Sequence, residues 1–92
     1  MEDKLKLAGE AFEKGDLQNG IAIVDRLLEE DSFNTEALML KAIFFYKQQK
    51  WGDALNALSK VQDIEPNHQS AIYYRQMINS ILTYWNKDNY NP

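Results

Sequence analysis

The chain has 92 residues, of which 45% are hydrophobic, 26% are charged and none is cysteine, and its formal net charge is −4. This length fits one small domain, and the lack of cysteine excludes disulfide bonds and thiolate chemistry. An acidic balance without a basic stripe argues against nucleic-acid binding, and the longest uninterrupted apolar run, Ala42 to Tyr46, is far short of the ~20 residues that span a membrane.

Apolar residues at helical spacing predict five helices separated by short polar breaks. Gly15 suits the left-handed conformation that ends a helix, Asn34 suits an N-cap, and Pro66 stops the helix before it. Asn67 is then expected to cap the last helix. The predicted helices cover about Asp3–Lys14, Leu17–Glu30, Thr35–Gln48, Trp51–Asp63 and His68–Asn86, followed by a polar tail at 87–92.

The same spacing predicts which faces of the first two helices are buried. The expected stripes are Leu7, Ala8 and Ala11 in the first helix and Ile21, Val24, Leu27 and Leu28 in the second. Gly20 lies inside the second helix, where glycine is unfavourable by about 1 kcal/mol. A close crossing of two helices at Gly20 would explain it, because a side chain there would push the partner helix away.

The chain repeats itself with a period of about 34 residues, a length typical of a two-helix repeat. Small residues match small residues, as at Ala8 and Ala42, and aliphatic residues match aliphatic ones, as at Val24 and Leu58. A fixed period between about 20 and 50 residues is typical of a solenoid, in which each unit covers the apolar face of the next.

This pattern resembles the tetratricopeptide repeat (TPR) family, whose motif is W-x2-L-G-x2-Y, then A-x3-F, then P. The resemblance covers about residues 2 to 82, and the chain departs from the motif at Lys41, Lys4, Ala11 and Ser32. The positions that carry it are Leu38, Lys41, Ala42, Phe45, Ala54, Leu58 and Pro66 in the second copy, and Lys4, Leu7, Ala8, Ala11, Gly20, Val24 and Ser32 in the first.

The resemblance implies an all-α fold, a right-handed α-α superhelix of two helical hairpins plus a C-terminal capping helix. It divides a single domain at 1–86 into a first repeat at about 1–34, a second at about 35–68 and the capping helix at about 68–86. The last helix carries Arg75, Gln76 and Asn79 where the second repeat has residues that face its partner helix. Polar side chains there suit a face that no further helix covers.

In TPR proteins the first helix of each repeat lines a concave groove that holds partner peptides. The resemblance places in this groove Leu5, Phe12, Met39, Ile43, Tyr46, Tyr73 and Met77, with Glu13 and Lys47 at its lip and Leu40 and Tyr74 nearby. Some members clamp a carboxylate with polar residues, but the corresponding positions here are Leu5, Gly9, Leu40, Ser70 and Tyr74. The expected function is therefore a scaffold or adaptor module that binds an apolar or amphipathic segment of a protein partner.

Two alternatives stay open for the same residues. Any one of the groove residues could instead pack between neighbouring first helices. A homo-oligomer could also form, in which two copies bury the groove or the last helix against each other. An apolar patch of a few hundred Å² indicates an interaction surface in either arrangement.

The residue types argue against catalysis, a metal site and a bound cofactor. His68 is the only histidine, and neither a cysteine nor a glycine-rich phosphate loop accompanies it. The acidic run Glu29-Glu30-Asp31 is interpreted as a solvated helix edge, because no further carboxylates stand at metal-loop spacing. The N-terminus lacks a charged-then-apolar leader pattern, so the cytoplasm is the expected compartment.

Overall fold

Five α-helices make up the part of the chain that the structure describes. This computed structural model describes the backbone of residues 2–90 and the side chains of residues 4–85, and in that range it contains no β-strand. The all-α prediction is confirmed. The helices are α1 (Glu2–Glu13), α2 (Leu17–Glu30), α3 (Thr35–Lys47), α4 (Trp51–Ile64) and α5 (Gln69–Tyr90).

The observed helix boundaries lie within one residue of the predicted ones, except at the end of α5. That helix continues past Asn86 to Tyr90, into the stretch predicted as a polar tail. Neither glycine nor proline stands between its first residue and Pro92, so no residue in this stretch ends the helix. Residues 91 and 92 lie outside the described range.

The helices pack as two hairpins followed by a single helix. α1 pairs with α2, and α3 pairs with α4. Contacts between α2 and α3 join the two hairpins, and contacts between α4 and α5 join the last helix to the second hairpin. α1, α3 and α5 adjoin one another in that order, whereas within the described residues no Cα atom of α2 lies within 8 Å of one in α4. The first helices of the hairpins therefore form one layer with α5.

The turns of the two hairpins have the same backbone geometry. Gly15 has φ 84° in the α1–α2 turn, and Gln49, which stands one repeat period later, has φ 60° in the α3–α4 turn. The next residue in each turn, Asp16 or Lys50, donates its N–H to the carbonyl five residues before it, at 2.8 and 2.9 Å. The period of the sequence is thus also a period of the backbone.

Polar bonds between successive units follow the same period. The Lys41 Nζ of α3 lies 3.1 Å from the Asp25 Oδ1 of α2. Arg75 of α5 donates to the Ser59 Oγ of α4 at 3.0 Å, and these two residues stand one repeat period after Lys41 and Asp25. Lys41, which departs from the TPR motif, therefore has an ion-pair partner in the preceding helix.

Two of the three polar residues expected to face solvent on α5 do so. Gln76 and Asn79 are exposed. Arg75 is partly buried instead, because its guanidinium also donates to the Gln62 Oε1 of α4 at 2.9 Å. Arg75 thus joins α5 to the second hairpin as well as carrying charge at the surface.

Two apolar clusters fill the space between the helices. One draws mainly on α3, α4 and α5, and the other on α1, α2 and α3. Val24 and Leu27 of the first hairpin are wholly buried, and so are Leu58 and Val61 at the matching positions of the second. Full burial of one such side chain stabilises the fold by about 1.5–3 kcal/mol.

The close crossing predicted at Gly20 is present between α1 and α2. The Phe12 ring lies on Gly20, so a Cβ atom at this position would overlap the ring. Phe12 is 6% exposed and belongs to the core rather than to the groove, which corrects the expectation from the resemblance. Leu7, predicted to be buried, is 54% exposed. Lys41 and Arg75, which occupy the matching positions of α3 and α5, each contact the preceding helix. Leu7 is exposed because the described chain has no helix before α1.

The N-terminus of α5 is capped by the histidine of the chain. The His68 Nδ1 accepts a hydrogen bond from the Ala71 N–H at 3.2 Å, just as the Asn34 Oδ1, one repeat period earlier, accepts from the Ala37 N–H at 3.1 Å. The prediction that Asn67 caps this helix is wrong, because the capping residue directly precedes the first helical residue.

We expect Gly20→Ala to lower the free energy of unfolding measured by urea denaturation. Displacing the buried Phe12 ring introduces overpacking strain of about 1–3 kcal/mol, which exceeds the gain of about 0.5–1 kcal/mol from replacing a helical glycine. Gly9→Ala is the matched control, since a Cβ atom there meets nothing within 4 Å. Gly9→Ala should stabilise the protein, and stabilisation by both changes would contradict the close crossing.

We expect His68→Ala to destabilise the protein by about 1 kcal/mol through loss of the α5 cap. His68→Asn should retain most of the stability, because asparagine is the cap at the matching position of the first repeat boundary. Thermal unfolding followed by circular dichroism measures both variants. Equal losses in the two would show that the imidazole acts through something other than the cap.

Candidate functional site

A groove runs across the layer formed by α1, α3 and α5. Its volume is about 720 Å³. We call it the main groove, and it is lined by Leu5, Lys6, Glu36, Met39, Leu40, Ile43, His68, Ser70 and Tyr74. Each of the three helices therefore contributes at least one wall residue.

The groove surface is apolar in its interior and charged at two exposed positions. Leu5, Leu40 and Ile43 are partly buried, so part of each side chain still faces the groove. Lys6 on α1 and Glu36 on α3 are exposed and carry opposite charges. A bound segment would thus meet an apolar surface with one cationic and one anionic contact.

A smaller pocket of about 320 Å³ lies along α5, beside the end of α3. We call it the side pocket, and it is lined by Tyr46, Tyr73, Gln76, Met77, Ser80 and Ile81. Tyr73 is 58% exposed, which makes it the most accessible aromatic residue of this pocket. None of its lining residues is charged.

The structure divides the predicted groove residues among several places. Leu5, Met39 and Ile43 line the main groove. Met39 is only 7% exposed, so it offers an edge of its side chain and otherwise belongs to the core. Tyr46, Tyr73 and Met77 line the side pocket rather than the main groove.

Lys47 borders a third depression, the C-terminal hollow, with a volume of about 680 Å³. Its lining residues are Tyr46, Lys47, Gln49, Trp51, Ile81, Leu82 and Trp85. Lys47 is exposed and lines neither the main groove nor the side pocket. Glu13, expected at the groove lip, is exposed and lines neither of them either.

Of the residues that line the main groove, two were predicted from the sequence to lie only near it, and four were not predicted to line it. Leu40 and Tyr74 line the main groove, and so does Lys6, which occupies the same column of the repeat. The resemblance associates this column with a carboxylate clamp rather than with the apolar groove. Glu36 and Ser70 also stand one period apart and could have been found in the same way. His68 stands one period after Asn34, which was predicted to be an N-cap, so its repeat position predicts a cap rather than a groove residue.

An aromatic cluster fixes the α3–α5 side of the site. The ring centroids of Tyr46 and Tyr74 lie 5.3 Å apart, and those of Tyr73 and Tyr74 lie 5.8 Å apart, both edge to face. Tyr46 also contacts Trp51 at 5.6 Å between centroids, and its hydroxyl donates to the Met77 Sδ at 3.9 Å. Edge-to-face pairs add about 0.5–1.5 kcal/mol each beyond area burial, so this wall is firmly positioned.

Partial burial raises the pKa of Tyr74 above its usual value of 10.0, and the neighbouring Tyr46 and Tyr73 hydroxyls raise it further. The tyrosinate form is therefore disfavoured in the folded protein. Tyr74 acts here as a neutral aromatic side chain with a protonated hydroxyl.

The polar side chains of the described residues lie at or near the surface and form no metal-binding group. No group of three or more His, Asp and Glu residues within residues 4–85 is arranged to hold a metal ion. No charged or polar residue in that range is buried. The imidazole of His68 already accepts the capping hydrogen bond of α5. Among the described residues, no helix is both long and apolar enough to cross a membrane.

Comparisons with known proteins identify no relative of this chain. A scan against models of protein families found no match, and searches of the curated proteins and of the solved structures found no similar chain.

We expect the stability of the protein to fall above pH 10 in part because of Tyr74. Its folded-state pKa is raised, so its contribution is intact below the unfolded pKa and is lost as the pH rises through the folded pKa. Tyr74→Phe keeps the ring and removes the titrating group, so its melting temperature should depend less steeply on alkaline pH. Parallel curves for the two proteins would contradict the perturbed pKa.

Proposed function

We propose that the chain is a non-enzymatic, TPR-like interaction module that binds an apolar or amphipathic protein segment across α1, α3 and α5. The observation that carries the proposal is the main groove, whose partly buried apolar side chains come from all three helices of one layer. A groove of this composition suits an apolar helix face or extended segment, with a few polar contacts to fix its orientation.

The TPR-like superhelix is part of the proposal, and the recurrence of structural contacts at the repeat period supports it. The turn geometry at Gly15 and Gln49 and the bonds from Lys41 and Arg75 to the preceding helices recur at this spacing. The order of contacts agrees, since first helices adjoin first helices and the described backbones of α2 and α4 stay apart. Such stacking produces a layer with one groove-bearing surface.

The groove supports a modest affinity. Each Leu or Phe anchor that becomes fully buried contributes about 1.5–3 kcal/mol, whereas association itself costs at least about 4 kcal/mol. Two or three anchors beside the contacts from Lys6 and Glu36 would therefore give a transient complex. We propose a scaffold or adaptor role on this basis, and a cytoplasmic location stays a prediction.

A binding role is favoured over catalysis by the state of the few reactive groups. His68 is committed to a helix cap, and the raised pKa of Tyr74 moves its titration further from neutral pH. General acid–base catalysis needs a group whose pKa lies near the working pH. The lining of the main groove offers mainly apolar contact, and its imidazole, His68, is engaged in the helix cap.

The proposal is tested with a synthetic amphipathic peptide that has Leu at every third or fourth position and Lys and Glu elsewhere. We expect saturable binding by fluorescence anisotropy, and Ser70→Glu should weaken it about tenfold or more, equivalent to about 1.4 kcal/mol. Ser70 is exposed and lines the main groove, so this change places a charge beside the bound segment without disturbing the core.

Phe33→Glu is the matched control. Phe33 is 72% exposed in the α2–α3 loop and lines a separate hollow with residues of α2, α3 and α4. It should leave peptide binding unchanged, and amide shifts in NMR spectra should fall on Leu5, Leu40 and Ile43. Amide shifts around Phe33, or equal binding by a scrambled peptide, would refute a specific groove.

A further inference from the structure

The histidine cap of α5 satisfies a backbone amide that is buried in the core. The Ala71 N–H donates to the His68 Nδ1 at 3.2 Å, and Ala71 is 0% exposed. The first N–H groups of a helix have no carbonyl partner within the helix, and a buried N–H without an acceptor is unfavourable. Ala71 also belongs to the apolar cluster that joins α5 to α3 and α4. The imidazole therefore holds the first turn of α5 in place on the core.

This hydrogen bond requires a neutral imidazole. The Nδ1 atom accepts a hydrogen bond only while it carries no hydrogen, and a proton taken up from solvent binds at this atom. The acceptor then becomes a donor that faces the Ala71 N–H. The imidazolium also places a positive charge at a helix N-terminus, where the helix dipole disfavours cations. Protonation of His68 and capping of α5 therefore exclude each other.

Only one of the two repeat boundaries has a cap of this kind. The matching cap of α3 is the Asn34 amide, which does not titrate and accepts from the Ala37 N–H at 3.1 Å. Ala37, like Ala71, is 0% exposed. Histidine is the side chain that changes charge between about pH 5 and 8, and the chain has a single histidine and no cysteine. The two caps share their geometry but differ in their response to pH.

The charged groups nearest to His68 give an imidazolium no fixed partner. Lys6 of α1 and Glu36 of α3 line the main groove with His68, and they are exposed and opposite in charge. Glu65, at the end of α4, is exposed, and its backbone carbonyl accepts the His68 N–H at 3.0 Å. Among the side chains of residues 4–85, neither carboxylate forms an ion pair with the imidazole. Tyr74 also lines the groove, and its raised pKa keeps it uncharged near neutral pH.

The other charged side chains on the helices packed against α5 are engaged or lie elsewhere. The charged residues of α4 line a separate hollow, and those of α3 beyond Glu36 either pair with α2 or border the C-terminal hollow. On α5 itself, the guanidinium within the described side chains donates to α4. These residues are Asp53, Lys60 and Asp63 on α4, Lys41 and Lys47 on α3, and Arg75 on α5.

We propose that His68 is a pH-sensitive switch, which holds the first turn of α5 in place when it is neutral and loosens this turn when it is protonated. His68, Ser70 and Tyr74 form the α5 wall of the main groove, so the state of the turn sets the shape of that wall. The groove is intact near pH 7 and is weakened toward about pH 5.5. Control of peptide binding rests on the proposed function, whereas the effect on α5 does not.

Thermal unfolding of the wild type and of His68→Asn at about pH 7 and pH 5.5 tests the switch, with circular dichroism as the measurement. Asparagine keeps the cap and does not titrate. Between these pH values, the melting temperature of the wild type should fall about 3–6 °C more than that of His68→Asn, as expected for loss of most of one helix cap. Aspartate and glutamate titrate mainly below this range and are the same in both proteins. Equal shifts in the two proteins overturn the switch, and so does a smaller fall in the wild type, which would show that the imidazolium gains a carboxylate partner.

NMR spectroscopy of the wild type alone decides the question if His68→Asn fails to fold. The amide resonance of Ala71 should move with the titration of the His68 Nδ1 resonance, whereas the amide of Ala37, beside the cap that does not titrate, should stay in place. An Ala71 amide that does not follow the imidazole overturns the proposal.

The amphipathic peptide tests whether the switch controls the main groove. Its dissociation constant for the wild type should rise about threefold or more between about pH 7 and pH 5.5, and it should rise less for His68→Asn. Equal pH dependence of binding in both proteins overturns control of the groove by His68. A peptide that fails to bind at pH 7 refutes the proposed function instead, and the melting and NMR measurements still decide the switch.

Discussion

The close approach of helices at buried small side chains is the constraint on which this fold depends. Ala8 and Ala42 occupy matching places in α1 and α3, and Gly20 and Ala54 occupy matching places in α2 and α4; all four are buried. A methyl group or a hydrogen atom lets the two helices of each hairpin approach closely, so the larger Val, Leu and Ile side chains fill the remaining space. Both hairpins use this device at the same repeat spacing, so their closest small residues lie at matching places along the chain.

Polar bonds between the units direct the stacking more than they stabilise it. The Lys41 and Asp25 side chains are 33% and 49% exposed, and ion pairs of this kind contribute about 0–1 kcal/mol. Their value is positional, since each ties a first helix to the second helix of the preceding unit at a fixed point. Arg75 repeats the link with neutral partners, so α5 follows the second hairpin as the second hairpin follows the first.

Helix positions and the repeat could be predicted from the sequence, because glycine, proline and apolar spacing act locally. Which residues of one repeat column are buried could not be predicted from the sequence. Phe12 and Tyr46 stand one repeat period apart, yet Phe12 is buried and Tyr46 only partly so. Gly20 leaves room for the first ring, whereas Ala54 at the matching place has a side chain, and Tyr46 instead contacts Trp51, Tyr74 and Met77. Such outcomes depend on neighbours from other helices, which no single column of the repeat contains.

Packing within the fold explains least why large aromatic residues stand at exposed positions. Tyr73, Tyr84 and Trp85 each keep more than half of their surface in contact with solvent, so polar side chains in their places would cost the core little. A chain of 92 residues has a modest stability, and accessible apolar surface increases its tendency to associate. These three lie on α5, beyond the two hairpins that supply most of the core, and the remaining strongly exposed aromatic residue, Phe33, lies in the α2–α3 loop. The helix that ends the stack is thus the element whose side chains are least constrained by folding and most available for contact with another polypeptide.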